Sequence, residues 1–368
     1  EQPYFQDDAG LSAAIFQEIN DFVLNQNGIY LSALGNDADN HYEDQYIDND
    51  SNSIHNFSSS DETLDFEIKP LGSITVYIQW SNEWGNATTD INAELWEDDP
   101  ISDNLKDSDY DNDIGSNPWI KLTYTNNNPI ADAEIYLKIL HNFGPTDVRL
   151  EVYWKLTGEG LTGEKSNLTD TQFLKPAGSS WGHPVFENVI AVGAIPFIRE
   201  STRADNWPYE ELAEYSSYGP CRIYTDFITQ QFIERDKPNI TAMDGIHVSG
   251  AFGFGVSDGD ATPGNIFWGT SAAAPHAAAI AGLIASTTPA LSRDKIMTIL
   301  KNSAGERGPY SYSNETGMSQ ETGHGRIDAY DAIRIGRAQN LSYAYTPQFV
   351  NCYTHPQVTD GGRNPGSP

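Results

Sequence analysis

The chain has 368 residues, of which 38% are hydrophobic and 11% aromatic, and its 21 basic and 52 acidic residues give a formal net charge of −31. This composition predicts a folded globular protein and excludes a mainly disordered chain. Nucleic acid is excluded as a partner because phosphate binding needs a basic face, and no stretch approaches the roughly 18 apolar residues of a membrane span. An acidic surface with few lysines favours an extracellular or cell-surface location.

The first predicted elements are a helix and a buried strand. Apolar residues between positions 10 and 23, among them Phe22, recur on one face of a helix, and Asn27-Gly28 ends it. Residues 29–34 form a continuous apolar run into Gly35-Asn36, which predicts a buried strand. Helix, short turn and strand make half of a βαβ unit.

The second zone, residues 56–156, changes its apolar period from 3.6 to 2. Six or more segments alternate apolar and polar residues between Asp-, Asn- and Pro-rich turns. That pattern predicts an antiparallel β-sandwich. The polar flanks, residues 37–60 and 157–182, are predicted to be linkers.

The third zone returns to α/β character. Residues 188–194 are a continuous apolar run, typical of a central parallel strand. The later predicted elements are a strand at 238–242, helices at 270–286 and 292–302, and a last helix after 325–329. The α/β domain is therefore predicted to be interrupted: residues 1–55 and 157–337 form it, 56–156 are the inserted sandwich, and 338–368 are a tail or linker.

One short segment carries the chemistry, Gly269-Thr-Ser-Ala-Ala-Ala-Pro-His276. Its serine, Ser271, follows a glycine turn and opens a helix of small residues. The positive end of the helix there stabilises developing negative charge. On the residues alone, Ser271 could instead be an ordinary helix cap.

This segment resembles the nucleophile motif Gly-Thr-Ser-X-Ala-X-Pro of the subtilase (subtilisin-like) serine peptidases. Five other segments resemble family motifs and occur in the family's order: 33–36, 188–194, 215–220, 237–242 and 323–329. The resemblance covers about residues 1–36 and 157–337. It implies an α/β fold, a subtilisin-like parallel-sheet three-layer domain with its N-terminal part missing and an antiparallel β-sandwich inserted.

The resemblance also implies an activity and two catalytic residues. The chain would be a serine-type endopeptidase that acts on protein or peptide substrates through an acyl-enzyme and requires no cofactor. Ser271 would be the nucleophile, and its backbone N–H with the Asn36 side-chain amide would hold the oxyanion. The alternative for Asn36 is an ordinary Gly-Asn turn.

The sequence departs from the family at the general base. The family's aspartate and histidine motifs precede the oxyanion asparagine, but the 35 residues before Asn36 contain no histidine, and His-Gly-Thr or His-Gly-Ser occurs nowhere. His276, five residues after Ser271 on one helix, points some 140° away from it. The expectation is therefore a C-terminal, nucleophile-bearing portion of a subtilase, inactive alone, whose partner is the missing N-terminal segment.

Two alternatives stay open for this departure. One is a non-catalytic pseudopeptidase, a binding protein that uses its β-sandwich. The other is a permuted chain whose base and acid are His355 and Asp360 in the tail.

An acidic run in the second zone places carboxylates at every second position, Asp107, Asp109, Asp111 and Asp113. Hard cations such as Ca²⁺ favour such oxygen clusters, so a structural Ca²⁺ is one interpretation. The other is a solvated acidic turn between sandwich strands.

The two cysteines, Cys221 and Cys352, also allow two interpretations. They form one disulfide that holds the tail to the body, or they are two unrelated thiols.

Overall fold

A computed structural model describes residues 5–6, 12–160, 163–196, 212–250, 255, 265–287, 291–305 and 318–340. Its strands, in chain order, are β1 (Leu31–Ala33), β2 (His41–Gln45), β3 (Leu64–Ile68), β4 (Ser73–Trp80), β5 (Asp90–Glu97), β6 (Asn104–Asp109), β7 (Trp119–Thr125), β8 (Ala133–Phe143), β9 (Arg149–Thr157), β10 (Asn167–Leu168), β11 (Ile190–Pro196), β12 (Cys221–Asp226), β13 (Gln231–Arg235), β14 (Ile240–Asp244), β15 (Ile246–Val248) and β16 (Asn265–Phe267). Its α-helices are α1 (Ser12–Asn20), α2 (Thr270–Thr287), α3 (Arg293–Ser303) and α4 (Ala329–Asn340), with a π-helical turn at Asp21–Asn25 and 3-10 turns at Thr171–Phe173 and His183–Val185.

A parallel sheet of order β1-β11-β14 lies at the centre of the α/β part. β11 is buried at all seven positions, as expected for a strand covered on both faces. The prediction of a central parallel strand at 188–194 is therefore confirmed, and the strands predicted at 29–34 and 238–242 are its two neighbours.

The helix α2 packs against all three strands of this sheet. Its buried residues include Ala273, Ala277 and Ala281, whose small side chains allow the helix axis to approach the strands closely. α3 and α4 pack on α2, and their buried side chains share one apolar cluster with those alanines.

The inserted region is a β-sandwich of two antiparallel sheets, with strand orders β10-β3-β8-β5-β6 and β2-β9-β4-β7. Alternate residues of β3, β4, β5, β7, β8 and β9 enter one apolar core, as the period-2 pattern predicts, whereas β6 contributes no buried side chain to it. Its largest fully buried side chains include Trp80, Trp154 and Phe66.

The segments predicted to be linkers contain two sandwich strands, which corrects that prediction. β2 lies within 37–60 and pairs with β9, and β10 lies within 157–182 and pairs with β3. β2 was missed because its sequence, His-Tyr-Glu-Asp-Gln, has one apolar side chain, and Tyr42 is 1% exposed in the core. β10 has only two residues, too few for any period.

The first predicted helix is confirmed over α1, but Phe22 is not on its buried face. Ile19 and Val23 are buried against Phe186, whereas Phe22 is 40% exposed. The Phe22 ring covers Gly28 and fills the space that a Cβ at that position would need.

Only one of the two cysteines lies in the described part of the chain. Cys221 is buried in β12 and Cys352 lies outside the described residues, so the choice between a disulfide and two thiols stays a prediction.

Among the described helices, none is both long and apolar enough to cross a membrane.

Candidate active site

Ser271 is the second residue of α2, and its side chain is exposed at the start of that helix. The preceding turn requires Gly269, whose φ is +114°. A Cβ there would lie 3.2 Å from Asn36 Nδ2. Within the described residues, the Ser271 hydroxyl has no hydrogen-bond partner.

Asn36 reaches this turn from the end of β1. Its Oδ1 accepts hydrogen bonds from Thr270 N at 2.9 Å and from Thr270 Oγ1 at 3.0 Å. Because a backbone N–H can only donate, the side-chain atom facing it is the oxygen. The amide Nδ2 of Asn36 therefore remains as a donor beside Ser271. The fold thus brings together the two residues that the sequence predicts as catalytic.

A third residue holds the same turn, and sequence reasoning missed it. Asp244, at the end of β14, is fully buried, and its Oδ1 accepts the N–H of Gly269 at 2.9 Å. Its other oxygen accepts the hydroxyl of Tyr215. Burial raises the pKa of Asp244, although these hydrogen bonds oppose the rise. A single acid after a strand carries no periodic or motif signal in the sequence.

The structure describes seven of the eight histidines, and none of the seven hydrogen-bonds Ser271. His276 Nδ1 lies 2.9 Å from the carbonyl of Met243, to which it donates, so this histidine joins α2 to β14. His183 Nε2 lies 3.0 Å from Ser32 Oγ. Among the described residues, Ser271 and the Asn36 amide therefore lie together without a histidine bonded to the serine.

A cavity of about 380 Å³ adjoins the residue before Asn36. It is lined by Ala33, Leu34, Gly35, Asp37, Trp181, His183 and Pro184. Asp37 Oδ2 accepts the indole N–H of Trp181 at 3.1 Å, and burial raises the pKa of Asp37. Burial lowers the pKa of His183, which favours its neutral form.

A larger cavity of about 500 Å³ lies elsewhere, between α2, β14 and the segment that leads into α4. Its lining includes His276, His247 and Arg326 but neither Ser271 nor Asn36. The smaller cavity, by contrast, is lined by Gly35 and Asp37, the residues on either side of Asn36.

Part of the chain is similar in sequence to known proteins. Residues 162–325, which include Ser271, match the model of the subtilase family. This part of the chain is therefore similar in sequence to the subtilases. Calcium-dependent proteases of Nostoc sp. (strain PCC 7120) and Trichormus variabilis are each 31% identical to the chain over 159 residues, which are 42% of this chain. The match spans 22% of the length of each relative.

The fold comparison extends beyond the subtilase segment. The CspB protease of Clostridium perfringens superposes with a TM-score of 0.50 over 90% of this chain and 64% of its own, at 14% identity. That coverage is too large to omit the sandwich. The chain therefore has a subtilisin-like α/β fold, as the sequence predicts.

Proposed function

We propose that this chain is the nucleophile-bearing part of a serine endopeptidase of the subtilase type. The observation that carries the proposal is the hydrogen bonding of Asn36 to Thr270. It leaves an amide donor next to the Ser271 hydroxyl, which has no partner among the described residues and lies at a helix N-terminus. A helix cap alone would not need a side chain from 234 residues away.

In the proposed reaction, Ser271 Oγ attacks the carbonyl carbon of the scissile peptide bond while a base takes the hydroxyl proton. The carbonyl electrons move to the oxygen, which the Ser271 N–H and Asn36 Nδ2 stabilise. Collapse of this intermediate expels the amine, which takes up the proton, and leaves an acyl-serine. Water then attacks the acyl-serine in the same way and frees Ser271.

We propose that the general base and the acid that orients it lie on a segment outside the described residues. No described histidine bonds Ser271, and an unactivated serine hydroxyl is a poor nucleophile near neutral pH. We propose that this segment is the chain's partner and that the 368 residues alone are inactive. The substrate would be a protein or peptide, without a required cofactor, in an extracellular or cell-surface location.

Covalent labelling tests this function directly. The 368-residue chain, incubated with a fluorophosphonate, should label weakly or not at all. Adding the upstream gene-encoded segment, covalently or as a second chain, should give strong labelling that Ser271→Ala abolishes. Ser286→Ala is the matched control, because Ser286 lies on the same helix but bonds the Leu283 carbonyl, and it should keep labelling.

Other outcomes would change the assignment. Strong labelling of the isolated chain would mean that one of its own histidines is the base. No labelling after the segment is restored would instead favour the pseudopeptidase, a binding protein that uses its sandwich.

A further inference from the structure

The larger cavity, of about 500 Å³, has mainly apolar walls. Ile280 of α2, Met243 of β14 and Ile246 of β15 line it, and each of these side chains is only half-buried. A molecule that removed them from water would gain free energy in proportion to the apolar area covered. The volume lies within the range of small-ligand sites, about 300–1,000 Å³. The cavity therefore suits the apolar body of a small organic molecule.

The lining also carries a positive charge, on Arg326. The Nη1 of Arg326 lies 3.8 Å from Met243 Sδ, and a thioether is only a weak acceptor. A guanidinium presents several N–H groups in a planar fork that matches the two oxygens of a carboxylate. A carboxylate in the cavity would therefore give Arg326 a strong, charged acceptor.

Among the described lining residues, Asp328 is the acid, and its charge is engaged with a helix. Its Oδ1 accepts the backbone N–H of Asp331 in the first turn of α4 at 2.9 Å, at the positive end of that helix. The other polar lining residues are His247 and His276. In a chain with 52 acidic and 21 basic residues, this lining favours an anionic ligand over a cationic one.

The backbone that carries Arg326 is held on two sides. On one side, the Gly325 carbonyl accepts the N–H of Thr241 at 2.9 Å, and Ile327 N–H donates to the Thr241 carbonyl at 3.0 Å. On the other side, the Arg326 carbonyl accepts the N–H of Gly305 at 3.1 Å. The segment thus lies as an extra strand beside β14, so the arginine is placed before any ligand arrives.

We propose that this cavity binds a small carboxylic acid with an apolar body, of the medium-chain fatty-acid class. Arg326 holds the carboxylate, and Ile246 and Ile280 receive the apolar chain. The bound acid joins α2, β14 and the segment before α4, and so stabilises the fold. Neither Ser271 nor Asn36 lines the cavity, so the site does not depend on the proposed peptidase reaction.

Titration of the full chain with sodium octanoate, below its micelle-forming concentration, tests this proposal without any activity assay. The wild type should bind octanoate in a calorimetric titration, and its melting temperature should rise with added octanoate. Octanol, which has the same chain and an uncharged head, should bind about tenfold more weakly.

Two variants with matched controls test the two halves of the site. Arg326→Gln should weaken octanoate binding about tenfold, whereas Arg334→Gln, which changes an arginine of α4 outside the lining, should not. Ile280→Phe places a larger side chain in the cavity and should also weaken binding. Ile101→Phe adds the same ring at a position that is 94% exposed and should leave binding unchanged.

Three results would overturn the proposal. The first is no octanoate binding by the wild type. The second is equal binding by the wild type and Arg326→Gln, which would mean that the arginine does not hold the carboxylate. The third is octanol binding as tight as octanoate binding, which would mean that the ligand needs no charge. Should Arg326→Gln not fold, Ile280→Phe and the octanol comparison decide.

Discussion

The buried carboxylate of Asp244 accepts the backbone N–H of Gly269 at 2.9 Å and so joins the end of β14 to the turn before α2. The same carboxylate accepts the N–H of Gly245 and the hydroxyl of Tyr215. Three donors therefore depend on one acid that has no contact with solvent. Asp244 acts as a positioning residue for the turn that presents Ser271.

Replacing this acid should destabilise the protein. Asp244→Ala leaves three donors without their acceptor, and we expect the free energy of unfolding to fall by about 3 kcal/mol. Urea denaturation measures this loss. The control Tyr215→Phe removes one hydrogen bond and should cost about 1 kcal/mol. Equal losses for the two variants would contradict the role assigned to the carboxylate.

Two substitutions at Asn36 separate its bonding to Thr270 from its proposed oxyanion role. Asn36→Asp keeps an oxygen for the Thr270 N–H but offers no donor to the substrate. In the active, base-supplied protein, we expect both Asn36→Ala and Asn36→Asp to lower kcat by at least about 10²-fold with little change in KM. Retained kcat in Asn36→Asp would show that Asn36 only holds the turn.

A buried charge cluster joins the sandwich to the α/β part. His41 of β2 contacts two partners. Its Nε2 lies 2.5 Å from Glu151 Oε2, and its Nδ1 lies 2.5 Å from the carbonyl oxygen of Lys175. Beside this pair, Glu43 bonds Arg222 of β12. The cluster therefore connects two sandwich strands to a hairpin outside the sandwich.

This cluster predicts a stability that falls as pH rises. Burial lowers the pKa of His41, but Glu151 and the Lys175 carbonyl outweigh it and the pKa is raised. Burial and the charge of Glu43 raise the pKa of Glu151 from 4.5 to about 7. Both groups bind protons more tightly in the folded state, so their stabilisation is complete below pH 4.5 and is lost as pH rises through about 7.

Thermal melts at a series of pH values check whether stability falls as pH rises. Glu151→Gln removes one titrating group, so its melting temperature should fall less than that of the wild type between about pH 5 and 8. Glu159→Gln changes an exposed acid and should follow the wild-type curve. A wild-type melting temperature that rises across this range, with no difference in Glu151→Gln, would refute the prediction.

The sequence predicts some parts of the site much better than others, for physical reasons. Ser271 and Asn36 stand in short local motifs, and β11 is an unbroken apolar run, so each is visible without the fold. Asp244 holds the turn through Gly269 and Tyr215, which are distant from it in sequence. β2 is held by pairing with β9, despite a polar sequence. Long-range pairing, not local pattern, determines both.

Because β2 and β10 pair with sandwich strands, an isolated sandwich fragment should include both. A fragment of residues 56–156 lacks β2 and β10, and therefore lacks the buried ring of Tyr42. We expect a fragment of residues 39–170 to unfold in one cooperative transition and the 56–156 fragment to be less stable or non-cooperative. Denaturation followed by circular dichroism compares them. Equal cooperativity would show that β2 and β10 are dispensable.

The cavity beside Asn36 predicts a preference for substrates with a positively charged side chain. Asp37 is oriented there from two sides, by Ser217 Oγ on its backbone N–H at 2.9 Å and by Trp181 on its carboxylate. His183 is the cavity's other titratable residue, and its lowered pKa favours its neutral form. Burial raises the pKa of Asp37, and a positively charged substrate group beside it would favour its ionised form. In the active, base-supplied protein, kcat/KM should be higher for a fluorogenic peptide with lysine before the cleaved bond than for one with glutamate. Asp37→Asn, which keeps an oxygen for Trp181, should reduce the ratio of kcat/KM for the lysine peptide to that for the glutamate peptide by about tenfold, equivalent to about 1.4 kcal/mol.

Fluorophosphonate labelling of Ser271 should be the same in the wild type and in Asp37→Asn, because the label carries no side chain for this cavity. An unchanged ratio with normal labelling would show that the cavity does not receive the substrate's charged side chain.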